Sequence, residues 1–263
     1  MIPKPYIARW KDHAPWHTFS QVEQDLVICR VLVEIFNDEF LNAHLAFRGG
    51  TALHKLHLHP ASRYSEDIDL VQIREGPIGP VLKRLDEVIN FFEQDRVVKQ
   101  KANNNSILYR FTSEYPPQTS LRLKIEINCR EHFSVLGWKK FPFEVDSEWF
   151  PEKTTITTYD INELLGTKLR ALYQRKKGRD LFDLWYASQF VKLNPDEIIN
   201  SYREYICFVV DKPPTKKQFL LNLDTKKDDL HFAGDLEGLL RPGIIYDQAR
   251  AFEWVKEYLI EKL

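Results

Sequence analysis

The chain has 263 residues, 43% hydrophobic and 13% aromatic, a composition that supports a sizeable folded core and excludes a disordered polypeptide. The formal net charge is −1, so the chain as a whole is not an electrostatic binder of nucleic acid, and binding of that kind requires a local basic patch. No stretch approaches the roughly 18 consecutive apolar residues of a membrane span, and the N-terminal residues lack the apolar run of a signal peptide.

The first half of the chain has the pattern of mixed helix and strand. Residues 1–15 carry three prolines and are predicted to wrap over the surface. A helix with apolar residues at helical spacing is predicted from Ser20, with Ser20 as its N-cap and Glu23 at the capping-box position. Further helices are predicted at residues 51–58 and 80–92.

Strands are predicted at residues 68–73, 97–99, 106–112, 121–130 and 154–158. The strand at 121–130 is the clearest, because its odd positions from Leu121 to Cys129 are apolar and its even positions from Arg122 to Arg130 are polar. This alternation places one face on the core and leaves the other face polar.

The second half of the chain is predicted to be helical. Helices are expected at residues 161–175, 179–190, 195–209 and 247–261. The change in composition near Tyr159 predicts two domains, an α/β domain of residues 1–158 and a helical domain of residues 159–263.

The three cysteines are Cys29, Cys129 and Cys207, which lie far apart and form no Cys-x-x-Cys pair. This spacing is typical of buried thiols in a reducing compartment and not of a disulfide framework or a zinc site. Together with the missing signal peptide, it predicts a cytoplasmic protein that makes no contact with a membrane.

The most informative segment, residues 49–70, joins a Gly-Gly-Thr turn to an Asp-Ile-Asp strand. In a strand, Asp67 and Asp69 project from the same face, although aspartate is disfavoured in strands. Two carboxylates on one face can bind Mg²⁺, which prefers oxygen ligands. The backbone and hydroxyl donors of Gly49, Gly50 and Thr51 can cradle a phosphate. The segment therefore indicates phosphoryl or nucleotidyl transfer.

Glu126 lies on the polar face of the strand at 121–130 and is a candidate third carboxylate. If that strand neighbours the one that holds Asp67 and Asp69, three carboxylates can hold two Mg²⁺ ions about 3.5–4 Å apart, which would stabilise the attacking and leaving oxygens. The alternative is a solvated strand face on which Lys124 neutralises Glu126.

Four blocks in this order resemble the AbiEii/AbiGii toxin family of nucleotidyltransferases, which are similar to DNA polymerase β in their catalytic half and are related to the MenT toxins. The Gly-Ser that is usual in polymerase β-like enzymes is Gly50-Thr51 here, which keeps the hydroxyl. The resemblance covers about residues 47–184. The blocks are Gly49-Gly50-Thr51, Arg63-x-Ser65-x-Asp67-Ile68-Asp69-Leu70, Lys124-x-Glu126, and a segment from Lys168 to Leu184 with Arg175, Arg179, Asp180 and Asp183.

The resemblance implies an α+β fold, with a polymerase β-like core of mixed sheet flanked by helices and a C-terminal helical bundle. It implies attack of an acceptor hydroxyl on the α-phosphate of a nucleoside triphosphate, with release of pyrophosphate. The implied acceptor is RNA, at the 3′ end of a tRNA, and the implied context is a toxin with a cognate antitoxin. In the implied metal site, Asp67, Asp69 and Glu126 bind Mg²⁺. In the implied triphosphate site, Gly50, Thr51 and Ser65 hold the phosphates. Lys168 and Asp183 are the implied later catalytic pair, and Lys168 also contacts the nucleotide.

Residues 168–179 hold six basic side chains and no acid, the strongest local positive charge in the chain. An unbroken helix would separate Lys168 from Asp183 by about 22 Å, too far for both to reach one nucleotide. We therefore predict a break near Lys177-Gly178, with Gly178 as a C-cap, and a helical hairpin that returns Asp183 toward Lys168.

Two further charged residues, Arg179 and Asp180, open the second helix of this hairpin. Asp180 and Asp183 lie in an apolar sequence, where acids need partners. We interpret Arg179 and Asp180 as an internal salt bridge and cap in preference to a catalytic pair.

Three functions are compatible with these features. The leading one is a Mg²⁺-dependent nucleotidyltransferase that acts as a toxin. The second is another metal-dependent phosphoryl transfer, such as kinase or phosphohydrolase activity, because carboxylates do not identify the acceptor. The third is a catalytically inactive protein that binds a nucleotide or a partner, and the complete set of acids and lysine argues against it.

Overall fold

The structure is a computed structural model that describes residues 2–92, 96–101 and 103–263. The chain forms two compact units, one of residues up to 134 together with 138–159, and one of residues 135–137 together with 160–263. The first unit contains a mixed sheet with helices and the second is helical, which confirms the predicted α+β class. The assignment of residues 1–158 and 159–263 as functional domains stays a prediction.

The sheet of the first unit has the strand order β3-β4-β5-β2-β1-β7-β6. The β2–β5 and β1–β7 pairs are parallel and the other pairs are antiparallel. Every predicted strand is present, and β1 and β6 are additional ones. The strands are β1 Leu45–Arg48, β2 Asp67–Gln72, β3 Val97–Gln100, β4 Asn104–Thr112, β5 Ser120–Asn128, β6 Lys139–Glu144 and β7 Lys153–Thr158.

Helices of the first unit support this sheet, and α2 contacts β5 and β7. The helix α5 ends at Val88, earlier than predicted. The helices are α1 Lys4–Trp10, α2 Phe19–Asn37, α3 Glu39–His44, α4 Gly49–Ala52, which continues as a π-helical turn Leu53–His57, and α5 Gly79–Val88.

The predicted N-cap of α2 is wrong by two residues. Thr18 caps the helix, since its hydroxyl accepts a hydrogen bond from Gln21 N at 3.2 Å while the Gln21 amide oxygen accepts one from Thr18 N at 3.1 Å. A Thr-x-x-Gln capping box thus precedes the Ser20-x-x-Glu23 pattern. Glu23 is instead buried and accepts a hydrogen bond from Glu114 N at 2.9 Å.

The N-terminal residues do not simply wrap over the surface as predicted, because α1 is anchored to the interior. The carboxylate of Asp25 accepts hydrogen bonds from Trp10 Nε1 at 3.0 Å and Trp16 Nε1 at 3.2 Å. Lys55 Nζ lies 3.0 Å from the same carboxylate. Burial alone lowers the pKa of Lys55, but the Asp25 charge reverses this and raises it above its ordinary value. Lys55 is therefore protonated at neutral pH, and the pair ties α1 and α2 to the residues after the Gly-Gly-Thr turn.

The second unit is built on α6, which packs closely against α8. A Cβ atom on Gly166 would lie 2.6 Å from Ser201 Cβ and 2.8 Å from the Ile198 carbonyl oxygen, so only glycine fits at this crossing. The two helices α9 and α10 were not predicted. The helices are α6 Ile161–Gln174, α7 Gly178–Phe190, α8 Pro195–Cys207, α9 Lys216–Lys227, α10 Leu230–Gly234 and α11 Gln248–Tyr258, followed by a 3₁₀ turn Ile260–Lys262.

Residues 135–137 belong to the second unit because a buried carboxylate holds them. Glu163, on α6, accepts hydrogen bonds from Val135 N at 2.8 Å and Leu136 N at 2.9 Å. Tyr205 donates its hydroxyl to the same carboxylate at 2.7 Å.

The prediction of three buried thiols is confirmed only for Cys29. Cys129 is half-buried and Cys207 is exposed, and all three are free cysteines. Burial raises the pKa of the Cys29 thiol to about 12, so this thiol is protonated at neutral pH.

Candidate active site

The sheet brings the predicted carboxylates side by side on one face. Asp69 of β2 lies in register with Glu126 of the parallel strand β5, and Asp67 lies in register with Lys124. The two strands are therefore neighbours, which is the condition on which a shared role of Glu126 with Asp67 and Asp69 depends. On the other side of β2, Arg48 of β1 is in register with Asp69.

The first glycine of the Gly-Gly-Thr turn packs directly against one of these acids. Gly49 has a φ of +77°, and a Cβ atom there would lie 2.1 Å from Asp69 Oδ2. Both the backbone conformation and the contact require glycine. The turn and the Asp69 carboxylate therefore form one tightly fitted element.

The hydroxyl groups of Thr51 and Ser65 are also drawn into this element. Thr51 Oγ1 lies 2.7 Å from Ser65 Oγ and donates to the backbone oxygen of Asp67. Thr51 is buried and Ser65 is half-buried. In this arrangement Thr51 fixes the start of β2, and its role in binding phosphate stays a prediction.

Asp67 carries an excess of negative charge in its surroundings. Its pKa is raised to about 6, chiefly by burial and then by the charges of Asp69, Glu66 and Glu126, while Lys124 acts in the opposite direction. A bound cation would relieve this repulsion. The donor set of Asp67 and Asp69 fits a hard cation such as Mg²⁺.

Glu126 is engaged by a neighbouring lysine. Lys124 Nζ lies 2.8 Å from Glu126 Oε1, and Asn104 donates to the same oxygen at 3.4 Å. Within the part of the chain that the structure describes, no three His, Cys, Asp or Glu side chains are grouped so that they could hold a metal ion. A preformed cage of three carboxylates is thus absent there, and the role of Glu126 as third metal ligand stays a prediction.

The predicted helical hairpin is present in the second unit. The helix α6 ends at Gln174 and α7 begins at Gly178, so that Lys168 Nζ lies 2.8 Å from Asp183 Oδ2. The predicted return of Asp183 to Lys168 is confirmed. The prediction that Gly178 is the C-cap of the first helix is wrong. Gly178 is the first residue of α7, where a Cβ atom would lie 2.2 Å from the Phe232 carbonyl oxygen.

Asp180 completes a charged cluster around Lys168. Lys168 Nζ is 3.0 Å from Asp180 Oδ1, and Arg175 contacts both oxygens of Asp180 at 2.7 and 2.9 Å. Asp180 and Asp183 are fully buried. Burial by itself raises the pKa of Asp180, but Lys168 and Arg175 outweigh it, and the pKa is lowered.

The predicted salt bridge between Arg179 and Asp180 is wrong. Arg179 Nε lies 3.2 Å from Asp235 Oδ2, while Asp180 pairs with Lys168 and Arg175. Consecutive residues at the start of a helix project about 100° apart, so the two side chains reach different neighbours.

Arg48 is a residue that sequence reasoning missed. It directly precedes Gly49, lies in register with Asp69, and forms a largely buried salt bridge of 2.5 Å with Glu131. Its position immediately before the Gly-Gly-Thr turn is the sequence feature that could have identified it as a candidate. The cluster around Asp69 belongs to the first unit and the cluster around Lys168 to the second.

No helix in the described ranges is long and apolar enough to cross a membrane. No curated protein matches the chain. In fold, the chain is similar to MenT4, a nucleotidyltransferase toxin from Mycobacterium tuberculosis H37Rv, with 16% sequence identity, a TM-score of 0.70, and coverage of 98% of this chain and 90% of that one. It is also similar to JHP933 from Helicobacter pylori, with 18% identity, a TM-score of 0.55, and coverage of 93% of each chain.

The sequence itself matches a family model over residues 30–258, described as nucleotidyl transferase AbiEii toxin, type IV toxin–antitoxin system. This match spans the Gly-Gly-Thr turn, the Asp-Ile-Asp strand and the Lys168 hairpin. The chain therefore belongs to the AbiEii family of nucleotidyltransferase toxins.

Proposed function

We propose that this nucleotidyltransferase uses Mg²⁺ to transfer a nucleoside monophosphate from a nucleoside triphosphate to an RNA hydroxyl, at the 3′ end of a tRNA. The observation that carries the proposal is the close fit of Asp69 against Gly49, with Asp67 two residues away on the same strand, where a cation would offset the charge repulsion at Asp67. In its cellular context the chain would act as the toxin of a pair with a cognate antitoxin, as its family membership implies.

Asp67 and Asp69 would hold Mg²⁺, and Glu126 would join them after it leaves Lys124. When bound, the metal supplies charge stabilisation to the attacking and leaving oxygens. The backbone N–H groups of Gly49 and Gly50 would bind phosphate oxygens. The triphosphate would then lie at the turn that packs against Asp69.

The remaining roles concern the hydroxyls of the first unit and the charged cluster of the second. Ser65 and Thr51 would present their hydroxyls to the triphosphate, at the start of β2. Lys168 would contact the nucleotide and offset the negative charge that develops on its phosphates. Asp183 would support catalysis by orienting the ammonium group of Lys168.

The proposed step is a simple displacement at phosphorus. The acceptor oxygen forms a bond to the α-phosphorus, and the bond from that phosphorus to the bridging oxygen of pyrophosphate breaks. The acceptor proton leaves to solvent. The products are RNA extended by one nucleotide and pyrophosphate.

Incubation of the full chain with total RNA, Mg²⁺ and each nucleoside triphosphate, labelled at the α- or the γ-phosphate, tests this proposal. Entry of the α-label into tRNA is expected. Entry of the γ-label alone into any acceptor would instead establish a kinase. Absence of both transfer and triphosphate hydrolysis would establish a catalytically inactive binding protein.

We expect Asp69→Asn to lower the rate of label transfer at least 100-fold, because one carboxylate ligand is lost while the size of the side chain is kept. Glu152→Gln, an exposed acid of the same unit, is the matched control and should retain wild-type activity. Wild-type activity in Asp69→Asn, with an unchanged circular dichroism spectrum, would refute the metal assignment.

A further inference from the structure

The second unit contains a cavity of about 800 Å³ whose lining includes none of the residues of the Lys168 cluster. Its volume is within the range of about 300–1,000 Å³ that ligand sites occupy. Three elements contribute to it, α7, the C-terminal end of α9, and α11. We call it the α11 cavity, and its walls include Trp185, Asp228, Phe252, Trp254, Glu257 and Tyr258.

Aromatic rings supply much of the lining of the α11 cavity. Trp254 and Tyr258, one helical turn apart on α11, are stacked with centroids 5.5 Å apart and planes inclined by 17°. Tyr258 is 52% exposed despite its size. Trp185 packs against Tyr246, which is not part of the lining, with 5.5 Å between the ring centroids. Exposed faces of such rings attract cations through their quadrupole.

The lining of the α11 cavity has more acidic than basic side chains, and its basic side chains already have acidic partners. The carboxylates of Asp228, Glu253 and Glu257 face only two cations, Lys227 and Arg250. Both cations are already paired with acids outside the lining. Lys227 lies 3.2 Å from Asp224, and Arg250 lies 3.6 Å from Asp247.

Two of the three carboxylates are available to a ligand. Among the described residues, no hydrogen bond or ion pair engages the side chains of Asp228 or Glu257, and both are exposed. A cation that entered the cavity would meet these acids together with the aromatic faces. A phosphate would meet an excess of negative charge, which disfavours a nucleic acid.

We propose that the α11 cavity binds the cationic side chain of an arginine or lysine, presented by a basic peptide segment of a protein partner. The aliphatic part of that side chain would pack on Phe252 and Ala249, as long basic side chains do on apolar surface. Its charged group would lie over Trp254 or Tyr258 and pair with Glu257 or Asp228. This surface is independent of the catalytic roles proposed above.

Calorimetric titration of the full chain with the acetylated and amidated peptide Gly-Arg-Gly-Arg-Gly tests the proposal. The matched ligand replaces both arginines by citrulline, which keeps the shape and removes the charge. The arginine peptide should bind at least fivefold more tightly than the citrulline peptide. The Kd for the arginine peptide should rise at least fivefold in Trp254→Ala and in Glu257→Gln.

Glu204→Gln is the matched control, because it removes the same charge from an exposed position on α8 outside the cavity. It should leave the Kd unchanged. Glu257→Gln replaces one carboxylate oxygen of an exposed side chain by an amide nitrogen, and circular dichroism should show an unaltered fold. It therefore keeps the test valid even if Trp254→Ala unfolds the helix.

Four results would overturn the proposal. The first is absence of detectable peptide binding. The second is equal affinity for the arginine and citrulline peptides, and the third is an unchanged Kd in Glu257→Gln. The fourth is binding of a twelve-residue oligouridylate that is lost in Trp254→Ala while the peptide does not bind. That outcome would assign the aromatic rings to base stacking on RNA.

Discussion

At the scale of single residues, Asp67 on β2 lies where its ionised carboxylate is unfavourable and a bound cation would be favourable. A carboxylate whose pKa is raised to about 6 is charged at neutral pH at a free-energy cost, because burial and three other acids disfavour its ionisation. Perturbed acids of this kind cluster at functional sites. The neighbouring glycine adds a steric constraint, since Gly49 leaves no room for a side chain beside Asp69.

Gly49→Ala should abolish transfer and lower the free energy of unfolding by more than the strain of a positive φ alone, which is about 1–2 kcal/mol. The added methyl group would lie 2.1 Å from Asp69 Oδ2 and displace that carboxylate. Urea unfolding and the label-transfer assay measure the two effects. Gly137→Ala separates strain from contact, since Gly137 has the same φ of +77° with nothing within 4 Å of its added Cβ. Equal stability loss in both variants would show that the Asp69 contact is unimportant.

Lys226 is a buried cation whose ionisation depends on the fold. It is only 1% exposed and donates to the carbonyl oxygens of Leu172 and Tyr173 at the end of α6 and to Asn222 Oδ1 at 2.6 Å. Its pKa is lowered to about 8, mainly by burial and also by the charge of Lys176, while Asp180 acts in the opposite direction.

The free energy of unfolding of the wild type should therefore rise as pH increases from about 8 to about 10.5. In this window the unfolded chain binds the proton more tightly, so unfolding takes up a proton and becomes less favourable at higher pH. The rise should reach at most about 3 kcal/mol relative to Lys226→Met, in which this dependence is removed. Urea unfolding at several pH values measures the difference. Lys227→Met, at an exposed position, should keep the wild-type slope. A difference in unfolding free energy between the wild type and Lys226→Met that does not change with pH would contradict the prediction.

At the scale of elements, the second unit depends on close approach of helices at glycines. The crossing of α6 and α8 at Gly166 brings the Ser201 side chain and the Ile198 carbonyl within contact distance of the glycine backbone. The same principle applies where α7 begins, since Gly178 lies against the Phe232 backbone. These contacts fix the α6–α7 hairpin and, with it, the pairing of Lys168 with Asp183.

Gly166→Ala should destabilise the protein by about 1–3 kcal/mol, because the added methyl group overpacks the α6–α8 crossing and its nearest neighbours include backbone atoms that cannot simply rotate away. The midpoint of urea unfolding should fall accordingly. Gly234→Ala, at the end of α10 in the same unit, provides the comparison, since its added Cβ would meet only the Glu237 side chain at an ordinary contact distance of 3.7 Å and the change should be neutral or stabilising. A midpoint for Gly166→Ala at or above that of the wild type would argue against the tight crossing.

At the scale of the whole molecule, Mg²⁺ should stabilise the folded chain by mass action, independently of any reaction. At a Mg²⁺ concentration ten times Kd, binding to the native state alone contributes about 1.4 kcal/mol. The Tm of the wild type should rise by about 2–5 °C relative to NaCl of equal ionic strength. The double variant Asp67→Asn, Asp69→Asn should show no Mg²⁺-dependent shift. An equal shift in both proteins would place the metal elsewhere.

Much of the fold could be predicted from the sequence because local pattern determines it. The alternation along residues 121–130 predicted the strand β5, and the Lys177-Gly178 pair predicted the break between α6 and α7. The weaker patterns failed. The strand β6 contains a proline, and the helix α9 has its apolar residues on no single face, so neither gave a clear periodicity.

The sequence by itself determined which chemical groups this protein has and their spacing along the chain, because residue type and spacing are local properties. These groups are the Gly-Gly-Thr turn, the two aspartates on one strand face, and the lysine with its later aspartate. Only the tertiary structure decided their partners. It placed Asp69 in register with both Arg48 and Glu126, turned Glu126 to Lys124, and paired Asp180 with Lys168 and Arg175 instead of Arg179. Such pairings depend on strand order and helix crossings between distant residues, which no local pattern encodes.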